Sequence, residues 1–258
     1  MPENSSEPKD AEQIRDEKKA RLPADLPEPQ RHDAAWSSRL LAGLKLAWTE
    51  NRQFLIVLAS IVFFKSAIAD LSSISGGSMQ PTLLDGDKVW VNKLAYDMKV
   101  PFTEINLAEL DDPKRGDIII IDSARAGKRL IKRIVGLPGD TIAMHNNALV
   151  INGEPMTYEV VSRDDSAVII VEELPELSHR AQLASGYVSR SRRSYGPAVV
   201  PEGQYFVLGD NRDNSADSRA YSFIPREEIV GRSDSVVFSL DSNNHFLFRG
   251  DRFLTDLD

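Results

Sequence analysis

Phe54 to Ala69 reads FLIVLASIVFFKSAIA, an apolar run interrupted by a single charge, and it constrains this chain more than any other stretch. A segment apolar around its whole circumference does not suit a helix on a globular surface. It falls just short of the ~20 residues that cross a bilayer core. Leu71 and Ile74, or the leucine-rich stretch ahead of it, would supply the missing length. Lys65 lies near the far end, where a long side chain can reach the headgroups. We read the run as one transmembrane helix, with a buried core helix as the alternative. Arg39, Lys45 and Arg52 precede it closely, and no Lys or Arg follows Lys65 until Lys88. That asymmetry predicts a cytoplasmic N-terminal side and an exported remainder beyond Asp70.

The flanks fit this frame. Residues 1–35 are rich in Glu, Asp, Lys, Pro and Ser, too polar to offset the entropy of ordering, and read as a disordered cytoplasmic tail. Between Trp36 and Trp48, Leu40, Leu41, Leu44 and Leu46 recur at helical spacing, so residues 36–74 read as a juxtamembrane and transmembrane segment. The run starts too far into the chain for an ordinary cleavable signal. Ala67-Ile68-Ala69 reads as small residues closing a helix, with self-cleavage after Ala69 as the alternative. A net charge of -8 argues against nucleic acid as a partner. The absence of cysteine removes disulfides, thiolate nucleophiles and cysteine zinc sites.

From Gly76 onward the pattern is mainly β. Strands are predicted at Lys88–Asn92, Ile118–Ile121, Lys128–Val135, Val168–Val171, Tyr205–Leu208 and Ser235–Leu240. Leu149 to Glu154 reads as a hairpin with Asn152-Gly153 at its tip. Ser178 to Tyr195 reads as a polar loop, and Ile224 to Ile229 as a short helix with Pro225 in its first turn. The expected fold is a mainly antiparallel β-domain with a weaker insertion in its middle.

Two stretches carry candidate chemistry. Gly76-Gly77-Ser78 places a serine on a glycine-led turn that Pro81 stiffens, which suits a nucleophile as well as an ordinary loop. On a strand from Lys128, alternation puts Lys132 on one face with Leu130 and Ile134. Desolvation there disfavours the ammonium form, and a base working near neutrality must fall from ~10.4 to about 7–8, roughly 4 kcal/mol. A paired charge is the structural alternative. A third stretch, Gly209 to Arg219, follows a strand end and is dense in carboxylates, amides and arginines. Its closely spaced Asp and Asn residues suggest a calcium loop, but counted from Asp210 or Asp213 the Gly at the sixth position and the Glu at the twelfth are both missing. No H-E-x-x-H, Walker A or Rossmann glycine pattern occurs, and the four histidines are scattered. No metal or cofactor is expected.

These residues resemble bacterial type I signal peptidase (leader peptidase), a family of Ser-Lys serine proteases. The matching stretches are Gly77–Leu83, Gly86-Asp87, Lys114–Asp117, Ile131–Asp140 and Gly209–Arg219, in the family's order. The resemblance implies a signal-peptidase-like antiparallel β catalytic domain at 75–143 and 202–258, with a variable β insertion at 144–201. It implies Ser78 as nucleophile, Lys132 as general base and Ser215 as the hydroxyl that orients the amine. Asp217 with Arg219, and Asp210 with Arg133, would be supporting ion pairs. Ile74, Met79 and Leu130 would line the apolar substrate pockets. The implied partners are a lipid bilayer and preprotein substrates with small residues at -1 and -3. The implied place is the bacterial inner (plasma) membrane, single-pass, with the catalytic domain on the periplasmic side. Some members draw a second oxyanion donor from a serine two residues before the nucleophile, where this chain has Gly76. Another Ser-Lys peptidase, or a non-catalytic tethered domain that binds exported chains, is the competing reading.

Overall fold

A computed structural model describes residues 32–103, 105–186, 193–241 and 244–257. The tail expected at 1–35 lies outside the described residues as far as residue 31. Residues 32–35 belong instead to helix α1 (His32–Ala67). The chain falls into two compact units, Met1–Val57 and Leu58–Asp258, and the described part of the first is the opening of α1.

No helix among the described residues is long and apolar enough to cross a membrane. The reason lies at both ends of the apolar run. Glu50, Asn51, Arg52 and Gln53 precede it, and the helix stops at Ala67. Strand β1 (Ala69–Ser73) begins two residues later, so Leu71 and Ile74 do not lengthen the helix as the sequence suggested. Ala69 is buried and paired with Asn92, which leaves a cut after Ala69 without an accessible bond.

The second unit is mainly β. In chain order its strands are β2 (Asp87–Asn92), β3 (Asp97–Lys99), β4 (Asn106–Glu109), β5 (Ile118–Ser123), β6 (Lys128–Gly136), β7 (Thr141–His145), β8 (Ala148–Ile151) and β9 (Glu154–Pro155). There follow β10 (Thr157–Arg163), β11 (Ala167–Leu174), β12 (Leu177–Ala184), β13 (Tyr195–Val199), β14 (Gln204–Leu208) and β15 (Ile224–Pro225). The last are β16 (Ile229–Asp241), β17 (Leu247–Phe248) and β18 (Thr255–Asp256). Among the described residues, the main sheet runs β1-β2-β16-β5-β6-β14-β15, all antiparallel. Sheet β13-β7-β8-β9 and sheet β10-β11-β12 are separate.

Every predicted strand is present, several longer than expected. The hairpin tip at Asn152-Gly153 has φ of 53° and 85°, the two positive angles of a primed turn. Two expectations fail. Ser178–Tyr195 is not all loop, because β12 fills its first part and pairs along β11. Ile224–Ile229 forms a two-residue strand and a single 3-10 turn (Arg226–Glu228), since Ile224 and Pro225 are drawn into pairing with β14.

Three apolar clusters make the core. One gathers Ile119, Ile121, Leu130 and Ile134 with Tyr205 and Val207. A second gathers Ile142, Met144, Leu149 and Ile151 with Phe206, joining the β7-β8 hairpin to the main sheet. The third packs Met79 and Leu83 against Val89, Val91 and Ile120, which anchors the turn after Ser78.

Candidate active site

Two stretches of sheet edge without strand partners among the described residues flank one cleft. Strand β1 ends the main sheet, so its outer edge is open. Strand β6 pairs with β5 along Lys128–Arg133, but β14 covers its other side only from Arg133 to Gly136. Between these edges lies a cleft of about 780 Å³, lined by Ser72–Ser78, Lys128–Lys132 and Asp213–Ala216. Open edges with unpaired N–H and C=O groups can receive an extended peptide as an added strand.

Ser78 and Lys132 meet at the end of this cleft. Lys132 Nζ lies 2.9 Å from Ser78 Oγ and donates to Ile131 O at 2.7 Å. The lysine is 3% exposed and forms no salt bridge within 4 Å among the described residues. Burial is the largest influence on its amine and pulls the pKa down to about 8. The carboxylates of Asp217 and Asp210 pull the other way, and the charge of Lys128 adds to the lowering.

The turn around Ser78 is held by groups from the Gly209–Arg219 segment. Asn211 N donates to Ser78 O at 3.1 Å, and Asn211 Nδ2 donates to Gly77 O at 2.9 Å. Gly209 sits where a Cβ would fall 2.4 Å from Ser78 O and 2.3 Å from Ser215 Oγ, so only glycine fits. The Gly76 N–H is spent on Asp85 Oδ1 at 2.9 Å, which removes it as an oxyanion donor. No acceptor is taken by the Ser78 N–H among the described residues.

Both expected ion pairs form. Arg133 donates to the two oxygens of Asp210 at 3.0 and 2.9 Å, with both side chains buried. Burial alone would raise the Asp210 carboxyl, but Arg133 and His179 outweigh it and hold the group below its usual range. Arg219 grips Asp217 with Nε and Nη2, each at 2.8 Å. Ile74 and Leu130 line the cleft. Two expectations are not met in the geometry. Met79 is 1% exposed and packs into the core under the turn, because the chain folds back there and aims it away from the cleft. Ser215 lines the cleft, yet its buried Oγ makes no hydrogen bond and faces Gly209, while the lysine amine bonds Ile131 O instead.

A buried charge chain behind the site went unread in the sequence. Arg212 pairs with Glu172, His179 Nε2 lies 3.0 Å from Glu172 Oε2, and His179 Nδ1 lies 3.6 Å from Asp210 Oδ1. It runs from β11 and β12 to the site segment and on to Arg133. Gln182 N donates to Asp210 O at 2.8 Å beside it. One signal was available: Glu172 shares a strand face with Ile170 and Leu174, both buried. Among the described residues no group of three or more His, Asp or Glu side chains is placed to hold a metal ion.

The chain is similar to several known proteins. Residues 47–238 match the family model described as signal peptidase, peptidase S26. A signal peptidase I of Pseudomonas aeruginosa is 32% identical over 207 residues, covering 73% of this chain and 72% of that protein. Signal peptidase I P of Bacillus subtilis subsp. natto is 32% identical, covering 75% of this chain and 90% of its relative. Signal peptidase I of Aquifex aeolicus is 33% identical, covering 72% and 82%. A solved signal peptidase I from Enterococcus faecalis aligns with 48% of this chain and 98% of its own at 29% identity, with a TM-score of 0.32.

Proposed function

The chain belongs to the signal peptidase family, peptidase S26, and from that premise we propose that it is a membrane-anchored serine endopeptidase that removes signal peptides from exported preproteins with a Ser78–Lys132 dyad. The observation that carries the reading is a buried amine 2.9 Å from the Ser78 hydroxyl with no carboxylate bonded to it. As a neutral amine, Lys132 accepts the Ser78 proton while Oγ attacks the scissile carbonyl carbon. The Ser78 N–H donates to the oxyanion that forms. The lysine ammonium then protonates the departing amine of the mature chain. Water, deprotonated by the same lysine, hydrolyses the remaining ester and frees Ser78.

Ser215 would orient that amine once its buried hydroxyl, which has no partner here, turns from Gly209 toward the lysine. The Asp217–Arg219 and Asp210–Arg133 pairs hold the strand ends that carry the dyad. Substrate would lie extended between the two open edges, with small residues at -1 and -3 against Ile74 and Leu130. Helix α1 would anchor the protein in the inner membrane, with residues 1–35 cytoplasmic and the β-domain outside.

The test is cleavage of a preprotein by the wild-type chain and by Ser78→Ala in detergent. Wild-type cleavage at the signal junction and none with Ser78→Ala is the expected result. Equal activity in the two would end the dyad reading.

A further inference from the structure

The charged side chains that line the cleft are mostly neutralised in place. Arg129 grips both oxygens of Asp122 at 2.7 and 2.8 Å. Arg219 is paired with Asp217, and Asp213 with Arg193 at 2.7 Å. Lys128 differs. It lines the cleft, is exposed, and has no ion-pair partner within 4 Å among the described residues. Asp213 is the one carboxylate among the described residues lining the cleft, and Arg193 already holds it. This end of the cleft is therefore cationic, with no carboxylate of its own to balance Lys128.

Register converts that charge into a position on the substrate. Lys128, Leu130 and Lys132 project to the same side of β6, and strand residues advance about 3.3 Å each. Lys128 thus stands about 13 Å from Lys132, four residues back along a strand added to the open edge. If the residue before the scissile bond sits at Lys132 and Ser78, the third residue before the bond lies by Leu130 and the fifth by Lys128.

We propose that Lys128 reads the charge of the substrate residue five positions before the scissile bond, favouring a carboxylate there and rejecting lysine or arginine. This rests on the Ser78–Lys132 reading above, which fixes where the scissile bond lies. Both groups are exposed, so the contact is an ion pair in high dielectric: worth a few-fold in rate and erased by salt.

The test uses the full-length protein in detergent and three peptides sharing one signal junction, with Ser, Asp or Lys at the fifth position. At low ionic strength the wild-type chain should cut the Asp peptide about fivefold faster in kcat/KM than the Lys peptide, a ratio that closes towards one in molar salt. Lys128→Glu should invert the ratio, and Lys128→Ala should bring it to about one. Because the readout is a ratio within each enzyme, a general loss of activity in a variant does not mimic the effect. Cleavage of all peptides with the same ratio in wild type and Lys128→Glu would overturn the role of Lys128 and leave the dyad standing. Failure of the wild-type chain to cut even the Ser peptide would overturn both.

Discussion

At the scale of single residues, the decisive quantity is the proton on Lys132. Its amine titrates near 8 in the folded chain against 10.5 for a free side chain. Above 10.5 both states are neutral; between 8 and 10.5 the unfolded chain holds a proton that the fold excludes. Below 8 the fold bears the full cost of a buried ammonium, about 3 kcal/mol from the size of the shift. Stability should therefore rise with pH across 8 to 10.5, as far as this residue decides it. Two measurements follow. The rate of preprotein cleavage should climb as pH passes through about 8 and then level; a profile still climbing beyond 10 would place the working amine in water. Lys132→Met should be inactive yet melt higher than wild type at pH 7, by about 2–3 kcal/mol of stability, with the gain shrinking toward pH 10. Lys132→Arg should also be inactive, because a guanidinium stays protonated. The burial of Lys132 was legible in the sequence because strand alternation is a local rule that sets it on one face with Leu130 and Ile134, whereas its proposed role as base came only from the family resemblance. Met79 was misread because its direction comes from a turn, for which no periodicity exists.

At the scale of elements, the site depends on how closely strand ends approach one another. The segment after β14 presses its backbone against the turn carrying Ser78, and Gly209 is the point of contact. Gly209→Ala places a methyl group 2.4 Å from Ser78 O and 2.3 Å from Ser215 Oγ, so the backbone of the Ser78 turn and the Ser215 side chain must give way. A displacement of that order is expected to cost about a hundredfold in kcat/KM, while far-ultraviolet circular dichroism keeps its β signature. A change under threefold would show that the turn yields without disturbing the reaction. Strand β11 meets the same segment through Glu172, whose carboxyl would be raised by burial but is held far below its usual range by Arg212 and His179. Glu172→Ala leaves a fully buried guanidinium unpaired and should cost about 3–5 kcal/mol in urea unfolding. Glu172→Leu with Arg212→Met should recover most of that loss, since well-packed apolar groups often replace a buried pair at little cost. Strand β11 was legible from its apolar run, whereas the polar β12 was read as loop. The ion pair was not, because it joins residues 40 apart in sequence, and nothing local signals a partner on another element.

At the scale of the whole molecule, the proposed membrane anchor rests on the apolar run. Phe54, Ile56, Val57, Leu58, Ile61, Val62, Phe63 and Phe64 are between 42% and 66% exposed, and this is a surface that water alone does not favour. From Phe54 to the end of α1 the run rises about 21 Å, short of the ~30 Å hydrocarbon core. A span therefore needs the helical residues before Phe54, local thinning of the bilayer, or both. The sequence pattern made the run conspicuous but could not show that β1 takes over at Ala69 and closes the helix from behind, because that ending is set by pairing with β2. The proposed anchoring has a direct consequence. An aspartate near the middle of a spanning helix costs about 2.5–3.5 kcal/mol, so Val57→Asp with Ile61→Asp removes about 5–7 kcal/mol of membrane preference. Wild-type chain is expected to float with phosphatidylcholine vesicles through an alkaline carbonate wash, and the double variant to stay at the bottom of the gradient. Both should still cut a soluble peptide in detergent, because neither position touches the cleft. Wild-type protein that fails to float would remove the anchor from this account while leaving the dyad intact. Flotation of both proteins would mean that another apolar surface, outside this helix, does the holding.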